Sequence, residues 1–145
     1  MTTIELWSLI MDSLSTILAA AAIFLYIIFW FKDKTSNDYD VFDNLYLDLL
    51  KTGMEHPKFR DINKTKNYKS SFTEEELIQY EVYAFITWNF IETILDKGDE
   101  NLFITWLPCV KYEASLHIEW FTQPENQIKF KELFQKEGKA LLMDK

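Results

Sequence analysis

An uncharged run from Leu14 to Phe31 constrains the fold of this chain more than any other feature of its sequence. A helix of that length spans about 27 Å, close to the thickness of the hydrocarbon core of a bilayer. The apolar character extends back from this run, so the helix should begin near Thr3. Trp7 and Trp30 then lie near its two ends, where aromatic side chains rest at the membrane interfaces. The run therefore predicts a transmembrane anchor within residues 1–34, in contact with the lipid bilayer.

A cleaved signal peptide is the alternative interpretation of the same run. Such a peptide begins with basic residues, continues with an apolar stretch and ends with small residues at the cleavage point. Here the start is acidic, with Glu5 and Asp12, and the most apolar stretch, residues 23–31, follows the alanines at 19–22. This order favours an anchor that stays attached to the protein.

The lysines beside the run predict how the anchor is oriented. Lys32 and Lys34 follow it, whereas no Lys or Arg precedes it. Because cytoplasmic flanks of membrane helices are enriched in basic residues, we expect the N-terminus outside and residues 35–145 in the cytoplasm.

Small and polar residues recur on one face of the anchor, spaced alternately by four and three residues. They are Ser8, Asp12, Ser15, Ala19, Ala22 and Tyr26. Small side chains let a second backbone approach closely, and a carboxylate at membrane depth usually faces protein or water. The alternative is that Asp12 reaches the outer headgroups and that the alanines only reflect composition. The pattern favours docking on a transmembrane helix of another membrane protein.

Charge and cysteine content restrict the partners and the compartment. The net charge of −8 argues against nucleic acid and against broad contact with anionic lipid, since both require a basic surface. A single cysteine, Cys109, excludes an internal disulfide and is typical of a reducing compartment.

Residues 35–145 contain apolar residues at helical spacing and few glycines or prolines, which predicts an all-α domain of four or five helices. The predicted helices cover residues 39–51, 74–97, 100–121 and 124–136. Residues 56–71 are predicted to be a loop that can include a short turn after Pro57.

Capping residues set the predicted helix ends. Asn37 or Asp38 should begin the first of these helices and Gly53 should end it. Thr73 and Glu76 form a capping-box pattern before the next helix, which Gly98 should close. Asp99 should cap the helix 100–121, and Gly138 should follow the last helix.

Proline also marks two of these helices. Pro108 should bend or divide the helix 100–121. Pro124 fits the first turn of the last helix, in which Ile128, Phe130, Leu133 and Phe134 should face inward.

Polar side chains on apolar helices are the only candidates for chemistry, and they are Asn89, Glu92, Glu113 and His117. Glu113 and His117 lie four residues apart on one helical face, but two-metal bundles use Glu-x-x-His pairs together with further glutamates. We therefore interpret these residues as a polar network that fixes helix register, and we expect no metal and no cofactor.

Aromatic residues make up 17% of the chain, and the simpler interpretation is a core packed with large rings, with an aromatic-lined ligand pocket as the alternative. Since the chain lacks catalytic motifs, the sequence favours a non-enzymatic, single-pass accessory subunit of a membrane complex that acts through protein contact. The alternative is a membrane-tethered sensor or enzyme that binds a small ligand or metal through Glu92, Glu113 and His117.

Overall fold

The computed structural model describes residues 3–97 and 100–140, and these ranges contain helices and no strand. The predicted all-α class is confirmed, with one apolar N-terminal helix followed by a helical domain. The helices are α1 Thr3–Glu55, a 3₁₀ turn Pro57–Arg60, α2 Ile62–Thr65, α3 Tyr68–Ser71, α4 Glu74–Lys97, α5 Glu100–Phe121, α6 Pro124–Gln127 and α7 Glu132–Ala140.

Helix α1 contains the only segment, within the described ranges, that is long and apolar enough to cross a membrane. This segment is Ser15–Lys32, with a mean hydropathy of 1.9, and none of it is buried by the rest of the protein.

The chain forms two compact units, Met1–Val41 and Phe42–Lys145, and the boundary between them lies inside α1. The prediction of a separate helix that begins near Tyr39 was wrong, because α1 continues through Asn37 and Asp38. Residues of this type cost a helix only a fraction of 1 kcal/mol each, about 0.7 at most, and neither Gly nor Pro interrupts the segment.

Gly53 also fails to end the helix, since α1 continues to Glu55. The residue that limits α1 is Pro57, because proline disfavours the helical conformation of the residue before it, here His56.

Residues 57–71 contain the short turn after Pro57 that the sequence allowed, but the rest of the segment is more regular than the predicted loop. The 3₁₀ turn, α2 and α3 follow one another there as single turns, and Phe59, Tyr68 and Phe72 are buried. Elements this short leave no helical period in the sequence, and their buried rings hold them against the domain.

Helix α4 has the predicted bounds up to Lys97, and Gly98 and Asp99 lie outside the described residues. The capping box is present: the Thr73 backbone N donates to Glu76 Oε2 at 3.0 Å, and the Glu76 backbone N donates to Thr73 Oγ1 at 3.3 Å.

Helix α5 has the predicted bounds, but its irregularity lies at His117 (φ −120°, ψ 17°) and not at Pro108. Pro108 is exposed, so water can satisfy the backbone carbonyl that its ring leaves without a donor. At His117 the backbone carbonyl accepts a hydrogen bond from Trp88 Nε1 at 3.1 Å.

The C-terminal region contains two helices, α6 and α7, where the sequence predicted one. Gly138 lies inside α7, and a Cβ there would come within 3.1 Å of the Phe121 ring. Two of the four residues predicted to face inward are buried, Phe130 and Phe134, whereas Ile128 and Leu133 are exposed. The intervening turn breaks the helical period on which that prediction depended.

Three aromatic clusters form much of the core of the domain. The first cluster comprises Phe42, Tyr46, Phe90 and Trp106. The second comprises Phe59, Tyr68, Phe72, Tyr80 and Tyr83. The third comprises Phe85, Trp88, Trp120, Phe121, Phe130 and Phe134. Helix α4 contributes to all three, which gives it the central place that the sequence predicted.

Candidate functional site

An ion pair between Arg60 and Glu113 joins the turn Pro57–Arg60 to α5. The Glu113 side chain is 0% exposed and that of Arg60 is 18% exposed. Arg60 Nη2 donates to Glu113 Oε1 at 2.7 Å, and Nη1 donates to Oε2 at 3.1 Å. This two-pronged geometry is the strongest arrangement that a guanidinium and a carboxylate can adopt.

Two tyrosines extend the ion pair to the longer helices. Tyr46 OH, on α1, donates to Glu113 Oε1 at 3.0 Å. Tyr83 OH, on α4, accepts from Arg60 Nη1 at 3.0 Å. Burial and the nearby Glu113 carboxylate raise the pKa of Tyr46 above its usual value, so this phenol remains a hydrogen-bond donor. Burial opposes the charge of Arg60, but the hydrogen bonds to Glu113 outweigh it and raise the Arg60 pKa.

Gly53 makes room for this arrangement. A Cβ at Gly53 would lie 2.4 Å from Arg60 Cδ and 2.9 Å from the Tyr83 hydroxyl oxygen. The glycine that the sequence suggested as a helix terminator is therefore needed for the close passage of the Arg60 side chain over α1.

His117 lies beside the ion pair without joining it directly. Its Nδ1 is 3.2 Å from Tyr80 OH, and its Nε2 is buried without a hydrogen-bond partner among the described residues. Burial, and then the positive charge of Arg60, lower the pKa of His117 to about 3. The imidazole is therefore neutral at physiological pH.

The ion pair forms a polar cluster with Tyr46, Tyr83, Tyr80 and His117. Glu113 accepts three hydrogen bonds in it, and its charge is balanced by Arg60. The cluster fixes the turn Pro57–Arg60 against α1, α4 and α5.

The four predicted network residues do not form one network. Asn89 is exposed. Glu92 is buried, and its Oε1 accepts a hydrogen bond at 3.0 Å from the backbone N of Lys131, ahead of α7. Only Glu113 and His117 lie in the buried cluster, so the structure does not bring the four residues together.

The predicted docking face of the anchor is described only in part. The side chains of Ser15, Ala19, Ala22 and Tyr26 are exposed on α1. Those of Ser8 and Asp12 lie outside the described part of the structure.

Sequence reasoning did not identify Arg60, Tyr46, Tyr80 or Tyr83 as members of the cluster. One signal was available, because Arg60 is the only arginine in a chain whose other basic residues are all lysine. Arginine suits buried carboxylates better than lysine does, since its planar fork satisfies both oxygens.

Comparisons with known proteins do not identify a relative. No family model matches the chain, and neither the curated proteins nor the solved structures give a significant match.

Proposed function

We propose that this protein is a single-pass membrane protein whose helical domain acts through contact with another protein, as an accessory subunit of a membrane complex. The observation that carries this proposal is the segment Ser15–Lys32, which is apolar and wholly unburied. An apolar helix of this length is stable when lipid or another membrane helix covers it.

In this proposal the first residues face outward and the domain faces the cytoplasm. The support is the position of Lys32 and Lys34 after the apolar segment, with no basic residue before it. The ion pair between Arg60 and Glu113 also suits a domain that acts as a contact surface, because it joins the turn Pro57–Arg60 to α5.

Cysteine labelling of intact cells tests the topology. In a Cys109→Ala background, Thr3→Cys should react with a membrane-impermeant maleimide added outside, whereas Asn37→Cys should react only after the cells are permeabilised. Ready external labelling at Asn37 with protection at Thr3 would reverse the orientation.

The anchor is proposed to dock on a membrane helix of the partner through Ser8, Asp12, Ser15, Ala19, Ala22 and Tyr26. Leucines at Ala19 and Ala22 would hold a neighbouring backbone away from this face. The double substitution Ala19→Leu/Ala22→Leu should therefore abolish co-purification of the partner from mild detergent while leaving membrane insertion intact.

The chain provides a matched control in the adjacent alanines. Ala20→Leu/Ala21→Leu changes the composition of the anchor identically but places the bulk on other faces of the helix. Equal recovery of the partner with both double variants would remove the docking face from the proposal.

A further inference from the structure

Helix α4 carries an apolar face that is exposed among the described residues of the domain. Ile78 is 62% exposed, Val82 55%, Phe85 37% and Ile86 49%. These residues follow one another at helical spacing, so they form a single ridge along α4. We refer to these four residues as the α4 ridge.

A groove lies on each side of the α4 ridge. One has a volume of about 420 Å³ and is bordered by Glu81, Phe85 and Lys129. The other has a volume of about 320 Å³ and is bordered by Thr52 and His56. Both grooves share Ile78 and Val82. A ridge between two grooves is the surface that a second helix packs against, because the ridges of one helix fit into the grooves of another.

Glutamates flank the α4 ridge, and their charges have no ion-pair partner in the part of the domain that the structure describes. Glu74, Glu75 and Glu81 are exposed, and none of them forms an ion pair with a described residue.

Neighbouring acidic residues do have partners. Glu76 pairs with Lys58, and Asp96 pairs with Lys131. Lys129, which borders one groove, is also engaged, because it donates to Asn126 and lies over the Trp120 ring.

We propose that the α4 ridge binds an amphipathic helix of a partner protein whose apolar stripe is flanked by lysine or arginine. The grooves supply the fit for a helix, and the three glutamates supply the complementary charge. A second copy of this chain fits less well, since it would bring the same three glutamates to the interface. The inference rests on the proposed function, in which the domain acts by contact.

Two synthetic helical peptides with the same leucine stripe provide the probe, one flanked by lysines and the other by glutamates. The full-length protein is placed in zwitterionic lipid nanodiscs, and peptide binding is followed by fluorescence anisotropy against empty discs. The lysine-flanked peptide should bind at least tenfold more tightly than the glutamate-flanked peptide, and added salt should reduce this preference.

Substitution on the α4 ridge tests where the peptide binds. Val82→Gln should weaken binding of the lysine-flanked peptide at least fivefold. Ile104→Gln is the matched control, because Ile104 is 59% exposed on α5 and borders neither groove. It should leave binding unchanged, and circular dichroism should show that both variants remain helical.

A charge reversal tests the predicted chemistry of the partner. Glu81→Lys should reduce or invert the preference for the lysine-flanked peptide. Asp43→Lys makes the same change at an exposed position of α1 and should not alter the preference. Binding that is insensitive to both Val82→Gln and Glu81→Lys would overturn the proposal. The proposal would also be overturned if neither peptide bound.

Failure of the proposed function would be detected by a different measurement. Incorporation of the protein into the discs is scored before the peptides are added, so a protein that does not insert into lipid is identified independently of peptide binding. If the protein self-associates and Val82→Gln abolishes the association, the ridge belongs to a dimer interface and the inference is wrong.

Discussion

At Arg60 a single side chain neutralises a carboxylate that is wholly removed from water. Arg60→Ala would leave Glu113 charged, buried and without its guanidinium, and we expect a loss of about 3–5 kcal/mol in the free energy of unfolding. Lys58→Ala is the control, because it breaks a partly exposed pair with Glu76 and should cost much less. Denaturant unfolding followed by circular dichroism gives both values.

The double variant Arg60→Met/Glu113→Leu distinguishes the cost of leaving Glu113 unpaired from the net contribution of the ion pair to stability. With both charges gone, no unpaired carboxylate remains, so the double variant should be more stable than Arg60→Ala. If Arg60→Ala costs no more than Lys58→Ala, the buried pair does not have the role described above.

His117 should make stability depend on pH. Its pKa is about 3 in the folded protein against an ordinary value of 6.5, so below pH 6.5 the unfolded chain binds a proton that the folded chain does not. The stabilising contribution is therefore complete above pH 6.5 and declines as the pH falls towards 3, by about 1.4 kcal/mol per pH unit.

A variant at His117 checks this pH dependence. Between pH 6 and 5, His117→Gln should reduce the slope of unfolding free energy against pH by about 1.4 kcal/mol per unit. An unchanged slope in His117→Gln would contradict the buried, neutral state of the imidazole.

In helix α1, helix propensity and side-chain packing favour different residues at position 53. Alanine normally stabilises a helix by about 1 kcal/mol relative to glycine. At Gly53 the added Cβ would lie 2.4 Å from Arg60 Cδ, so the sign should reverse. We expect Gly53→Ala to lower the free energy of unfolding by about 1–3 kcal/mol, measured by denaturant unfolding. Stabilisation would show that Arg60 can leave α1 at little cost.

Helices whose ends depend on neighbouring residues could be predicted from the sequence. The Thr73–Glu76 capping box sets the start of α4, because its donors and acceptors lie within one turn. Gly53 and Gly138 could not be interpreted in this way. Each is a glycine because a distant side chain passes close by, the Arg60 stem in one case and the Phe121 ring in the other.

The candidate site was predictable only in the part that lies on regular helices. Glu113 and His117 stand out as polar residues on an apolar helical face. Their partners do not, because Arg60 and Tyr80 are distant in sequence and Arg60 lies in a single turn without periodicity. Tertiary pairing of this kind leaves no local pattern.

For the whole molecule, the compact unit Phe42–Lys145 predicts that the domain folds without the apolar N-terminal segment. A fragment of residues 36–145 should give a dominantly helical circular dichroism spectrum and a cooperative unfolding transition. A strand-rich or unfolded spectrum at neutral pH would contradict the fold.

A shorter fragment tests what the C-terminal part of α1 contributes. Residues 56–145 lack Phe42 and Leu49, which are buried, and also lack the Tyr46 hydroxyl that bonds to Glu113. This fragment should be less stable than residues 36–145 by several kcal/mol, since each buried apolar side chain contributes about 1.5–3 kcal/mol. Equal stability would show that α1 is not part of the core.

The three aromatic clusters also give the protein its own optical reporters. Trp106 lies in the first cluster beside Phe42 and Tyr46, whereas Trp88 and Trp120 lie in the third. Each of these indoles is buried, so its emission should be blue-shifted while its cluster stays dry and should move to longer wavelength when water enters. In a variant whose other tryptophans are replaced by phenylalanine, the emission wavelength of Trp106 would report in real time whether Phe42 and Tyr46 of α1 are packed against it. No added dye would be needed.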